Sequence, residues 1–186
     1  MTERLAGILV SSFTRILIPG IKVTIPLTLI SFVFGCIIAL FLAIVQTANI
    51  KGLKQFARFY IWIFRGTPLI VQLFIIFFGL PSVGIILDAF PSAVIAFALN
   101  LGAYNAEVFR SAIQAVPAGQ TEAAYMIGLN YPQTMFRIVM PQAFRIAFPP
   151  LFNSLIGLTK DTSLASSITV VELFTTAQQI ALCIIL

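Results

Sequence analysis

The chain has 186 residues, of which 60% are hydrophobic and 9% charged, and its net charge is +5. Soluble domains are about 45–50% apolar and about 25% charged, so this composition excludes an ordinary water-soluble globule, a disordered tail and a coiled coil. Lipid is the solvent that fits.

Met1 to Pro19 has no small-residue cleavage site followed by a polar mature start, so a signal peptide is not expected there. Leu5, Ile8, Leu9, Phe13 and Ile16 recur at helical spacing, which predicts an interfacial amphipathic helix over about 1–19. A spanning helix needs roughly 20 mostly apolar residues, and the uncharged stretch between Lys22 and Lys51 supplies a first span. A second run, from Phe59 to Leu80, is interrupted by Arg65 and closed by Pro81, with Gly79 to Gly84 reading as a turn. A third, from about Ile85 or Pro91 to Ala115, carries Asn100, Asn105, Glu107 and Arg110. The polar stretch from Pro117 to Arg137 follows. A fourth run goes from about Phe144 to Thr159, and Pro149-Pro150 marks its entry, because proline fits a first turn and not a helix interior. From there Lys160 is roughly 15 Å away at helical rise, about half the hydrocarbon thickness. Lys160 and Asp161 are therefore expected inside the membrane, where backbone leaving a helix must be buried in protein or face a water-filled cavity. A fifth run starts near Ser167 and is still apolar at Leu186, which predicts a helix cut short.

Basic residues mark cytoplasmic loops. Lys51, Lys54 and Arg58 lie between runs one and two, and Arg110, Arg137 and Arg145 flank the loop between runs three and four. The expected architecture is an all-α polytopic membrane protein of one domain and five spans, with its N-terminus outside. The absence of His excludes a Ser-His-Asp or Cys-His triad and a His-ligated metal. Cys36 and Cys183 lie far apart in apolar runs and imply no disulfide framework.

In the loop over 117–141, Gly119 or Thr121 is expected to cap a short helix ending near Gly128, with Glu122 in its first turn. Asn130 is expected to cap a second helix, with Pro132 in its first turn and Pro141 ending it. Two short amphipathic helices of this kind either dock on a soluble partner or lie on the lipid surface.

The order Glu122-Ala123-Ala124, Gly128, Ile138, Met140-Pro141 resembles the EAA loop of permease subunits of ATP-binding-cassette (ABC) importers of type I, with Met140 where that pattern prefers Leu. Phe64-Arg65-Gly66-Thr67-Pro68-Leu69-Ile70-Val71-Gln72 is a second match. Ala103-Tyr104-Asn105-Ala106-Glu107-Val108-Phe109-Arg110, leading into Val116-Pro117-Ala118-Gly119-Gln120, is a third. Pro149-Pro150-Leu151-Phe152-Asn153 with Leu158-Thr159-Lys160-Asp161-Thr162-Ser163-Leu164 is a fourth. Together they resemble the polar amino-acid uptake branch, from about Lys22 to Glu172.

The resemblance implies that Glu122, Ala123, Ala124 and Gly128 couple the chain to a cytoplasmic ATPase, whose closure reorients the spans in alternating access. The chain has no Gly-x-x-x-x-Gly-Lys-Ser/Thr phosphate loop, so it is expected to be no enzyme and to hold no cofactor, with ATP and Mg in the ATPase subunits. Further partners implied are a second permease copy or a sister permease, an extracytoplasmic amino-acid-binding protein and membrane lipid, but no nucleic acid. The expected location is the bacterial inner membrane.

Intramembrane charges usually face the bundle interior and pair. Arg65 and Glu107 are expected at similar depth, either as an ion pair or with Arg65 reaching a substrate carboxylate beside a helix break at Gly66-Thr67-Pro68. Lys160 and Asp161 offer a cation for the carboxylate of a zwitterionic amino acid and an acceptor for its ammonium, unless they pair with each other or snorkel. Thr67, Gln72, Asn100, Asn153, Ser154 and Ser163 are further polar candidates, each alternatively a bond between helices. Glu172 is open between site, interface and structural pair. Neutral Asn153 and Ser154 favour a neutral polar substrate such as glutamine or cystine, while Asp161, Glu107 and Glu172 keep a cationic one open. The rival reading is a stand-alone channel or ion-coupled carrier with Arg65, Glu107, Lys160 and Asp161 as an ion path. An intramembrane enzyme lacks a nucleophile–base pair, and a scaffold leaves the intramembrane charges without a task.

Overall fold

A computed structural model describes residues 12–47 and 52–185, which form helices joined by short connections. Residues 1–11 of the expected interfacial helix, Lys51 and Leu186 lie outside the described residues. Helix α1 is Ser12–Thr47, so residues 12–19 run on into the first span. Helices α2 (Leu53–Gly66) and α3 (Leu69–Val83) meet at a break bent by 104°. Pro68 sits at that break in extended conformation, φ −61° and ψ 139°; lacking an N–H, it cannot continue the ladder, and it pushes Thr67 out of the helical region. Helix α4 is Ala89–Gln114, and the polar loop holds α5 (Ala118–Met126) and α6 (Tyr131–Thr134). Helix α7 (Met140–Asp161) leads into a 3₁₀ segment, Thr162–Ile168, and α8 is Leu173–Ile185. Among the described residues, α1 and α4 are long and apolar enough to cross a membrane singly, and α2 with α3 makes a third as one broken span. The expectation of five spans also needs α7 and α8, neither of which meets that measure alone.

Three wide π turns share one sequence cause. They occupy Gly20–Thr24, Ile75–Gly79 and Met135–Val139, and each is followed, one residue on, by a proline: Pro26, Pro81 and Pro141. A proline inside a helix removes one donor and collides with the carbonyl four residues back. The wide turn opens the helix around that carbonyl, and the residue before the proline bonds five residues back, as Met140 N–H does to Met135 and Ile25 N–H to Gly20. Pro141 therefore does not end the second loop helix, as expected; the chain stays helical from Tyr131 to Asp161.

Pro149-Pro150 does not mark a helix entry either, because both prolines lie inside α7. Ending the helix there would strand more backbone groups in an apolar setting than two prolines withdraw. The Ser154 hydroxyl shares its one hydrogen between the Pro150 carbonyl at 3.1 Å and Asn105 Oδ1 at 2.8 Å. At 22 residues α7 is about 33 Å long, so the distance counted from Pro149 no longer measures the depth of Lys160.

The described residues fall into two compact units, and α1, α4 and α7 contribute to both. The first comprises residues 12–33, Thr67–Ala98 and residues 156–185. Its core includes Leu27, Leu73, Ala93, Phe97, Leu158 and Ile168. The second comprises residues 34–47 and 52–66 and Leu99–Leu155. Its core is rich in alanine: Ala39 and Ala43 from α1, Ala103, Ala106 and Ala112 from α4, Ala143 and Ala147 from α7. Small residues let helix backbones approach closely, the main source of packing energy where lipid removes the hydrophobic drive. One tight approach is at Gly102, where an added Cβ would stand 2.7 Å from Ile38 Cγ2.

Candidate functional site

The polar loop belongs to the second unit. Pro117 is the residue before α5, with an extended ψ of 133° and no side-chain cap; Gly119 and Thr121 lie inside the helix, and Glu122 falls beyond its first turn. Proline sets the entry because its fixed φ suits a helix start and it has no N–H to leave unsatisfied. The far end is a Schellman motif. Gly128 adopts φ +83°, its N–H bonds to Tyr125 O at 3.0 Å, and Leu129 N–H bonds to Ala124 O at 3.1 Å. Asn130 then caps α6 as expected, in a reciprocal box: Asn130 Oδ1 accepts from Gln133 N–H and Gln133 Oε1 accepts from Asn130 N–H, both at 3.0 Å.

This framework fixes what the loop presents. Glu122, Ala123 and Gly128 are exposed, whereas Ala124 is 1% exposed and packs inward. Beside them stand Met126 at 88% and Ile127 at 76% exposure. These two were missed from sequence, although an apolar pair directly before a left-handed glycine is a readable sign of an apolar tip. Behind α5, a cavity of about 200 Å³ is lined by Thr47, Ile113, Tyr125, Tyr131 and Thr134, among others.

The expected ion pair between Arg65 and Glu107 is not formed. Glu107 accepts from Arg110 instead, at 2.8 Å from Nε and 2.6 Å from Nη2. Arg110 lies one turn further along the same helix, where i,i+3 neighbours meet without any tertiary adjustment. The Arg65 guanidinium sits over the Tyr104 ring, 5.4 Å from its centroid, and the two residues line a cavity of about 370 Å³ with Ile61, Trp62 and Gly66.

The remaining polar candidates divide between the units. In the second, Asn100 Nδ2 donates to Phe64 O at 3.4 Å, and the Ser154 hydroxyl donates to Asn105 Oδ1 at 2.8 Å, tying α7 to α4. In the first, Gln72 Nε2 donates to Thr67 Oγ1 at 2.8 Å and to Thr67 O at 3.1 Å, a bond that staples the break at Pro68. Lys160 and Asp161 end α7, both exposed, and form no ion pair among the described residues. The Ser163 hydroxyl donates to Lys160 O at 2.8 Å. Glu172, 1% exposed, caps α8 by accepting from Phe174 N–H at 2.8 Å and Thr175 N–H at 2.9 Å. No group of His, Cys, Asp and Glu able to hold a metal occurs among the described residues.

Residues 35–182 match the family described as binding-protein-dependent transport system inner membrane component. The L-cystine transport system permease protein TcyB of Bacillus subtilis (strain 168) is 53% identical over 91% of this chain and 72% of its own length. A second L-cystine transport system permease protein of that organism, TcyL, is 43% identical over 89% of this chain and 72% of its own. Among solved structures, a crystal structure of an amino acid ABC transporter with histidines superposes with a TM-score of 0.84 at 36% identity, over 92% of this chain and 80% of that one.

Proposed function

Since this chain belongs to the family of binding-protein-dependent transport system inner membrane components, and within it to the amino-acid ABC permeases, we propose how its parts serve import. The loop over 117–141 docks on a cytoplasmic ATPase, with Glu122, Ala123 and Gly128 at the contact and Met126 and Ile127 as an apolar anchor. Ala124 supports this face from within. ATP and Mg reside in that partner. Closure of two ATPase subunits drives two such loops, on this chain and on a second copy or a sister permease, and alternates access. An extracytoplasmic binding protein delivers the substrate. The chain acts as one membrane domain of five spans, with its N-terminus outside the bacterial inner membrane.

In this reading Lys160 binds the carboxylate of the amino acid and Asp161 its ammonium. Their freedom from mutual pairing among the described residues supports the assignment. Ser163, Thr67 and Gln72 are the further polar candidates on the first unit, and Arg65, Asn100 and Ser154 are those on the second. The substrate is a polar, uncharged amino acid of the L-cystine type, supported by the two cystine permeases among the relatives.

The observation that carries the proposal is the exposure of Glu122 and Ala123 on a helix held between a proline entry and a left-handed glycine exit. Affinity purification of the full-length protein from its native membrane tests it. An ABC ATPase should co-purify with the wild type and be lost from Glu122→Arg. Recovery without any ATPase under mild detergent would contradict the docking role.

A further inference from the structure

We propose that the recess between the end of α1, the start of α2 and the end of α4 binds the phosphate of an anionic phospholipid headgroup. It lies wholly in the second unit, measures about 300 Å³, and is lined by Gln46, Lys54, Arg58, Glu107, Arg110 and Gln114. Three cations meet one carboxylate there, and that carboxylate is already engaged. Arg110 holds Glu107 through Nε and Nη2 and donates Nη1 to Gln114 Oε1 at 2.9 Å. The lining thus sets the charges of Lys54, Arg58 and Arg110 against the one carboxylate of Glu107, an excess of positive charge. Gln46 adds a donor: it is 8% exposed, and its Nε2 has no hydrogen-bond partner among the described residues. A buried donor left without an acceptor is costly, and an anion in the recess would relieve it.

The excess of positive charge suits an anion. Arg110 already occupies Glu107 Oε2 and Gln114 Oε1. A phosphate diester needs donors only. Its acyl chains find their surface on α2. Trp62, 72% exposed, lies one turn from Arg58 on the same face, and its ring stacks on exposed Phe59 at a centroid distance of 6.2 Å. Basic groups at the membrane edge with aromatic residues deeper along one helix match the amphipathic order of a phospholipid. The inference rests on the reading that the Leu53 end of α2 faces the cytoplasm.

The reporter is built in, because Trp62 is the one tryptophan of these 186 residues. The full-length protein is reconstituted in phosphatidylcholine vesicles in which brominated phosphatidylglycerol or brominated phosphatidylcholine replaces part of the lipid. Quenching that depends on Trp62 is read as the difference from Trp62→Phe. Two basic groups at the surface predict a preference of roughly tenfold or more for the anionic lipid, falling to about one in Lys54→Gln/Arg58→Gln with the thermal midpoint unchanged. Equal quenching by both lipids, or a preference that survives in the double variant, overturns the assignment. Loss of the preference on adding millimolar inorganic phosphate also overturns it, in favour of a free phosphate site. Labelling of Gln55→Cys by an impermeant thiol reagent reports separately whether this end faces the cytoplasm.

Discussion

At the scale of single residues, two carboxylates carry different tasks. Glu172 is buried and spends its oxygens on the first free N–H groups of α8, so Glu172→Ala should cost about 1–3 kcal/mol and lower the unfolding midpoint in detergent. Glu172→Gln keeps one acceptor and should recover part of that loss. Asp161 is exposed and caps nothing among the described residues, and Lys160 beside it is equally unpaired. If they hold substrate, Lys160→Ala should weaken binding roughly thirtyfold, for a charged hydrogen bond of about 2 kcal/mol, while the assembled complex purifies in normal yield. Uptake kinetics against complex yield separate this from a folding defect. The sequence could place both residues together but could not pair Glu107. Its choice between Arg65 and Arg110 depends on helix phase, and the neighbour on the same helix needs no tertiary adjustment, so it wins.

Elements show where local sequence rules hold and where packing overrides them. Asn130, Gly128, the break at Pro68 and the turn ending at Gly84 all behave as their side chains dictate, because each is a local backbone preference. Pro141, Pro149 and Pro150 do not end helices, because a helix in an apolar setting keeps its ladder: a widened turn precedes Pro141, and α7 runs on through Pro149 and Pro150. No pattern of residue types announces that outcome. The contact of α1 with α4 was equally invisible, since nothing in the sequence tells which glycine meets a neighbour. Gly102→Leu should force the two helices apart, destabilising the second unit by about 1–3 kcal/mol, a loss readable as a lower unfolding midpoint. Just past the end of α5, Gly128→Ala puts a Cβ at φ +83° and should cost about 1 kcal/mol or more. Because the glycine lies in the loop and not in the spans, ATPase stimulation should fall more than thermal stability.

For the whole molecule, the composition and the loop motif led to the family, and membership of the amino-acid ABC permeases disfavours the stand-alone carrier. The number of spans was less legible, because α7 carries prolines and charges that a hydropathy rule discounts. The central claim is that substrate crosses only when the loop transmits ATP-driven closure. It is tested most directly by ATP-dependent uptake of labelled L-cystine into proteoliposomes holding the full-length permease, its co-purified ATPase and its binding protein. Uptake should require ATP and fall to background in Glu122→Arg. Uptake of equal rate without ATP, or by the permease alone, would contradict the account.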